Sequence, residues 1–229
     1  MTARDSEDGR PASGENPHSD TRPLLVAVTG ATGSAYGLTL TRLLLESGIP
    51  VRLCFTRAAE RVIPGETGKT AGQWAAEFEV KARSLAVAFA LDSVDDIGAS
   101  GASGSFRTRG MAIAPCSMGT LARIAAGVSG NLIEREADVC LKERRPLVLL
   151  ARETPLSAIH LRNMLSLTEA GAVVMPPVPA FYARPKSVDD VVNDTVHRVL
   201  DLLGLAPQNA YRWGETGAAS GSRAREGAE

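Results

Sequence analysis

The sequence predicts a single α/β domain, a parallel sheet with helices on both faces. Three observations predict it. Short, continuous, valine- and leucine-rich runs recur along the chain, as expected of strands buried on both sides. Helical periodicities fall between those runs, and strand alternating with helix is the pattern of a parallel sheet. The first run, VAVT at 26–29, opens directly into GATGSAYG at 30–37, a strand-to-helix turn of the phosphate-binding type. Such a domain is Rossmann-like or flavodoxin-like, and its ligands sit at the carboxyl ends of the strands.

The first strand is expected at 24–29. Leu38, Leu40, Leu43, Leu44 and Leu45 give the next helix its apolar face, and Gly48 ends it. Further strands are expected at 51–55, 111–114, 147–151 and 172–175. Helical patterns occupy 132–145 and 157–170. The last helix spans 188–203, with Ser187 as N-cap and Asp190 placed for a capping box. Between Pro64 and Arg109 the pattern weakens. There the tandem GASGASGS at 98–105 reads either as a flexible linker or as the edge of a site. The polar stretch 1–22 and the end from 214 read as disordered tails around a domain at 23–213.

Composition narrows the class. The 229 residues are 44% hydrophobic and 22% charged, with a net charge of −1, which gives no electrostatic reason to expect nucleic acid or an acidic membrane as partner. No apolar run is long enough to span a bilayer, and the amino-terminal stretch lacks the apolar segment of a secretory signal. Cys54, Cys116 and Cys140 lie within apolar segments without CxxC spacing, so they read as reduced, buried thiols of a cytoplasmic protein, and no metal site is expected.

The rim rule shortlists 30–33, 56–57, 115–120, 152–153 and 176–182. A nicotinamide dinucleotide is the first ligand to test. TGATG occurs in reductases of that kind, Arg57 follows the second strand, and Tyr182 with Lys186 has Y-x-x-x-K spacing. That pair must share one helical face, yet Pro185 stands between the two residues and removes a backbone donor. The glycines run G-x-x-G-x-x-x-G rather than G-x-G-x-x-G, so the fingerprint for pyrophosphate is weak.

Other residues carry more chemistry. In PCSMGT at 115–120, Ser117, Gly119 and Thr120 stand at a strand-to-helix junction, which is either an ordinary N-cap or an anion site. Arg135 and Lys142 lie two helical turns apart on a mixed-charge helix, where a solvated ion-pair face is the plain alternative. Arg152 and Glu153 directly follow LVLLA, so a carboxylate beside a guanidinium can exchange protons with a phosphate or ring nitrogen. Tyr182 ends a stiff, proline-rich arm. Arg198 borders the apolar stripe of the last helix, and Trp213 precedes the carboxyl-terminal tail, where it either packs or covers a ligand.

Taken together, TGATGSAYG (29–37), TRAA (56–59), SGSF (103–106), PCSMGT (115–120), NLIEREADVCLKERRPLVLLARETP (131–155) and MPPVPAFYARPKS (175–187) resemble the flavin prenyltransferases of the UbiX type. The resemblance covers about 23–213 and implies FMN, used in its reduced form as the acceptor of a dimethylallyl group from dimethylallyl phosphate. The product would serve a separate UbiD-type decarboxylase. It further implies that Gly30, Ala31, Thr32, Thr56, Ser117, Met118, Gly119 and Thr120 hold the flavin, with Arg135 reaching it from a subunit contact. Lys142, Arg152, Tyr182 and Arg198 would bind the isoprenyl phosphate. Glu153 would be the acid/base, Glu66 a second proton-handling group, and Trp213 a wall of the prenyl pocket. Thr32 departs from the serine common in the family; it keeps the hydroxyl and adds a methyl group. Family members often form dodecamers, which implies a homo-oligomer.

Two alternatives remain, a related flavoprotein and a protein of another class. Related cysteine decarboxylases carry a PASANT-type motif and a catalytic histidine, whereas this chain has PCSMGT and only His18, His160 and His197. A non-catalytic FMN-binding subunit would need none of Lys142, Glu153 and Tyr182.

Overall fold

The computed structural model describes residues 20–205. Six parallel strands form one sheet in the order β3-β2-β1-β4-β5-β6. They are β1 (Leu24–Val28), β2 (Val51–Phe55), β3 (Phe89–Asp92), β4 (Met111–Cys116), β5 (Leu147–Ala151) and β6 (Val173–Val174). The helices are α1 (Ser34–Glu46), α2 (Arg57–Thr67), α3 (Ala71–Leu85), α4 (Met118–Ala125), α5 (Leu132–Lys142), α6 (Ala158–Glu169) and α7 (Val188–Leu202). Strand order reverses between β1 and β4, so the crevice at their carboxyl ends is the switch point where such sheets bind ligands.

Alternation along each strand divides the core in two. Leu24, Val26 and Val28 of β1 pack with α1, α2, α3 and α7 on one face, while Leu25 and Ala27 pack with α4, α5 and α6 on the other. Both faces are therefore buried, which is why β1 and β5 read as unbroken apolar runs. Each large aliphatic side chain fully buried here contributes about 1.5–3 kcal/mol.

The single-domain parallel architecture agrees with expectation, and several details differ. β3 makes a sixth strand in the stretch where no pattern stood out. It pairs with β2 from Phe89↔Val51 to Asp92↔Cys54 and lies at the edge, half-exposed, so its residues are not uniformly apolar. The stretch after Pro64 also holds α3, which Thr70 starts through a capping box with Gln73. Pro64 and Gly65 inside α2 disguise that helix, because both are poor helix formers. At the far edge, the strand expected at 172–175 shrinks to Val173–Val174.

The capping box of Ser187 and Asp190 at α7 is present, and α6 has a matching one in Ser157 and His160. Asp20 to Arg22, assigned to the amino-terminal tail, pack on the domain: the Arg109 guanidinium donates to the carbonyls of Arg22 (3.0 Å) and Asp20 (2.6 Å). No helix among the described residues is long and apolar enough to cross a membrane.

Candidate active site

The site begins at Thr29, the residue after β1. It is buried, and its hydroxyl donates to the Pro115 carbonyl (2.8 Å) while accepting the Ser117 amide (2.8 Å). One threonine thereby clamps the ends of β1 and β4 together at the switch point. The only sequence signal was a polar residue closing an apolar run.

The glycine turn follows. Gly33 has φ +98, a left-handed conformation that disfavours a side chain, and a Cβ on Gly30 would collide with Ala58 in the first turn of α2. Gly33 is the N-cap of α1 and offers no side-chain acceptor. Glu66 of α2 supplies one instead. Its carboxylate accepts the amides of Gly33 (3.0 and 3.1 Å) and Ser34 (2.8 Å), the Ser34 hydroxyl (2.6 Å), and the Thr32 hydroxyl. Burial alone would raise the Glu66 pKa, but the hydrogen bonds from Ser34, Thr32 and Gly33 outweigh it and hold the carboxyl below its ordinary value.

This corrects the reading of 30–37 as a phosphate-binding turn. The amides at the amino end of α1 already face a carboxylate, and a phosphate there would meet like charge. Thr32 and Glu66 instead form an exposed hydroxyl–carboxylate pair at the end of β1.

The anion-binding capacity lies beside it, in α2 and α4. Thr56 caps α2 by accepting the Ala59 amide (3.1 Å), and Ser117 caps α4 by accepting the Thr120 amide (3.4 Å). The first-turn amides of Arg57 and Ala58, and of Met118 and Gly119, have no intrahelical acceptor. A flavin mononucleotide fits this donor set. Its phosphate can be held by hydroxyls and amides of Thr56 and of Ser117 to Thr120, and its ring edge by the turn at Gly30, Ala31 and Thr32.

Arg57 points away from any nucleotide role, since it pairs on the surface with Asp95 (2.8 Å). The Tyr182–Lys186 pair is likewise broken by geometry. Phe181–Ala183 is a 3-10 turn followed by Arg184 in the left-handed conformation, so no helix aligns the two side chains.

Arg152 follows β5 at the same rim, with its amide on the Cys116 carbonyl (3.1 Å). Glu153 beside it is exposed and accepts the Thr154 amide (3.1 Å). Tyr182 is 60% exposed on its arm. Arg198, exposed on α7, is paired with Asp201.

Two candidates on α5 stand apart. Arg135, in the first turn, donates to the Ala102 carbonyl (3.1 Å) and pairs with Asp138 (2.6 Å). Lys142 ends the helix, paired with Glu143. Because α5 runs against the strands and feeds β5, Lys142 lies at the amino edge of the sheet, about 15 Å along the helix from the rim. Within one chain it does not join the Thr32–Glu66 pair. Trp213 lies outside the described residues.

The loop at 98–105 is not a free linker: it packs along α5 beside Arg135 and Lys142. It runs beside α5 from β3 toward β4, closely enough that a Cβ on Gly101 would collide with Glu136 and one on Gly104 with Glu143. Arg145 fastens it through the carbonyls of Phe106 (2.7 Å) and Gly104 (2.5 Å). Residues missed from sequence are Thr29, Glu136 and Tyr36, whose ring lies against Gly33. Tyr36 carried a signal, being one of three tyrosines and set within a polar motif.

Fold and rim together define a doubly wound α/β flavoprotein with a hydroxyl–carboxylate pair, Thr32 and Glu66, at the end of β1. The family model described as Flavoprotein matches residues 12–200. A flavin prenyltransferase UbiX from Alkalihalophilus pseudofirmus is 44% identical over 192 residues, which is 84% of this chain and 96% of that one. The solved structure of AnUbiX (PadA1) in complex with FMN and dimethylallyl pyrophosphate has a TM-score of 0.76 and 45% identity, covering 85% of this chain and 98% of that one. A dodecameric FMN-dependent Ubix-like decarboxylase from Escherichia coli O157:H7 also has a TM-score of 0.76 and 45% identity, over 84% of this chain and 100% of that one. The chain belongs to the UbiX flavin prenyltransferase family.

Proposed function

We propose that the protein transfers the dimethylallyl group of dimethylallyl phosphate to reduced FMN, making a prenylated flavin for a separate UbiD-type decarboxylase. The observation that carries this reading is the Thr32–Glu66 pair set beside the open amino termini of α2 and α4. The likeness to a structure holding FMN and dimethylallyl pyrophosphate supports the choice of ligands.

Reduced FMN, when bound, supplies the nucleophilic ring that accepts the five-carbon unit. The roles of this chain's residues are to bind, orient and move protons. Gly30, Ala31 and Thr32 line the ring edge, while Thr56, Ser117, Met118, Gly119 and Thr120 take the flavin phosphate, joined by Arg135. Lys142, Arg152, Tyr182 and Arg198 hold the donor phosphate and offset the charge that builds as it leaves. Glu153 protonates that phosphate, Glu66 takes or returns a proton through Thr32, and Trp213 lines the prenyl pocket. Aromatic faces at Tyr182 and Trp213 stabilise an allylic cation without trapping it.

The separation of Lys142 from the rim supports a site completed by a neighbouring copy. So do the exposed apolar side chains of Ile159 (65%), Leu161 and Leu165 on α6 and of Val178 and Phe181 (77%) on the arm. We place the protein in the cytoplasm, consistent with three free, buried cysteines whose thiols burial pushes up in pKa.

Release of inorganic phosphate from dimethylallyl phosphate tests the reading. It should require reduced FMN and stop with oxidised FMN. Release that is independent of flavin would point to a phosphatase instead.

A further inference from the structure

Glu66 stands on a weakened turn of α2. Pro64, two residues before it, has no N–H to give the Glu60 carbonyl, so one intrahelical bond is missing. Gly65 follows, and a Cβ there would meet nothing within 4 Å, so packing does not demand glycine and the turn is looser for it. Gly68 then ends the helix in the left-handed conformation. A last turn built this way frays unless something outside the helix holds it.

Trp74 of α3 supplies that hold. Its indole Nε1–H donates to the hydroxyl of Thr67, the residue after Glu66 (3.0 Å). The same hydroxyl donates to the Ile63 carbonyl (2.9 Å), so it spans Pro64 and Gly65 while taking a bond from a second helix. The indole is itself fixed. Its ring stacks on buried Phe78 (centroids 5.8 Å apart), and Phe78 meets Phe89 of β3 (6.2 Å). The Lys69 ammonium lies 4.6 Å from the indole centroid and pairs with Glu77 (2.7 Å). An aromatic row thus runs from the sheet edge to the end of α2. On the other side, the Glu66 carboxylate meets the Gly33 amide, the Ser34 amide and the Ser34 hydroxyl at once, an arrangement that tolerates little displacement.

We propose that Trp74 is a positioning residue for Glu66: through Thr67, its indole N–H anchors the last turn of α2 and keeps the carboxylate on the donors at the start of α1. This rests on the proposed function, which gives Glu66 a proton to carry.

The test uses the full chain loaded with FMN. Trp74→Phe keeps a ring on Phe78 and removes the N–H, Thr67→Val removes the acceptor, and Thr67→Ser keeps it. Hydrogen exchange at the Gly33 and Ser34 amides, read by mass spectrometry, should quicken about five- to tenfold in the first two variants and stay parental in the third. The kcat of flavin prenylation should fall by a similar factor, with donor KM and FMN Kd within about twofold of the parent. Adding Trp74→Phe to Glu66→Gln should slow transfer no further, because both act through one carboxylate. Gly65→Ala, which stiffens the turn directly, should return most of the rate to Trp74→Phe. Unchanged exchange or unchanged kcat in Trp74→Phe and Thr67→Val overturns the inference. So does a loss that multiplies with that of Glu66→Gln, as a merely structural role would. A parent that transfers no prenyl group brings down the proposed reaction, while exchange at 33–34 still decides whether Trp74 holds Glu66.

Discussion

Glu66 on α2 closes the amino end of α1 at Ser34, accepting both its amide (2.8 Å) and its hydroxyl (2.6 Å). Gly33 cannot cap α1 with a side chain, and a residue 32 positions beyond Ser34 does so instead. The same carboxylate accepts the Thr32 hydroxyl, so under the proposed function one group would serve helix stability and proton transfer together.

The two roles separate by substitution. Glu66→Ala removes the cap and should cost about 1 kcal/mol, lowering Tm by about 2–4 °C. Glu66→Gln keeps one acceptor oxygen and should recover most of that loss. Both variants should transfer the prenyl group about 100-fold more slowly or worse, because neither can carry the proton. A Gln variant with parental single-turnover rate would remove Glu66 from the chemistry.

Thr32 divides by its two substituents. Thr32→Ser keeps the hydroxyl bonded to Glu66 and should stay within about threefold of the parental rate, whereas Thr32→Val should fall about 100-fold with flavin still bound. Stopped-flow measurement of flavin prenylation reads both. Equal rates in the valine and serine variants would deny the hydroxyl a part.

Lys142 and Glu66 should act in different copies. Each of Lys142→Ala and Glu66→Gln alone should be impaired, yet co-expressing them should restore roughly a quarter of the sites, those taking an intact residue from each neighbour. Mixed assemblies no more active than the separate variants would place both residues in one chain's site.

Two carboxylates on α5, separated by Arg135, differ in kind. Glu134 is buried but answered by Arg123, the Gly130 amide (2.9 Å) and the Asn131 side chain (2.8 Å). Glu136 is 2% exposed and its Oε1 has no hydrogen-bond partner. Burial, aided by the Asp92 charge and opposed by Arg52, pushes its pKa from 4.5 to about 8. The unfolded chain ionises Glu136 near its ordinary value while the fold keeps the proton, so the group's contribution is complete below about pH 4.5 and is lost as pH rises to about 8. Glu136→Gln should therefore match the parent at pH 4 and exceed its Tm by at least about 5 °C at pH 8.5. Parallel melting curves across that range would show that Glu136 ionises freely in the fold.

The sequence made the strand runs and rim positions legible, because β1, β4 and β5 are buried on both faces and turn residues follow them. β3 was hidden by its edge position, and α2 by Pro64 and Gly65. The partner of Thr32 was legible only through resemblance: nothing in the local pattern says that position 66 reaches back to 32–34. The turn after β1 looked like a phosphate cradle because glycines reveal a tight turn but not what fills it. At 98–105 small residues fit both a flexible linker and the edge of a site, and the nearness of Glu136, Lys142 and Glu143 rules out the linker.

The mass of the flavin tests the central claim most directly. The purified protein is loaded with FMN, reduced anaerobically and given dimethylallyl phosphate, and the extracted flavin is weighed by mass spectrometry. The account predicts FMN carrying one five-carbon unit, with Glu66→Gln yielding far less in the same time. Bound flavin of unchanged mass, in a parent protein that holds both ligands, would contradict it.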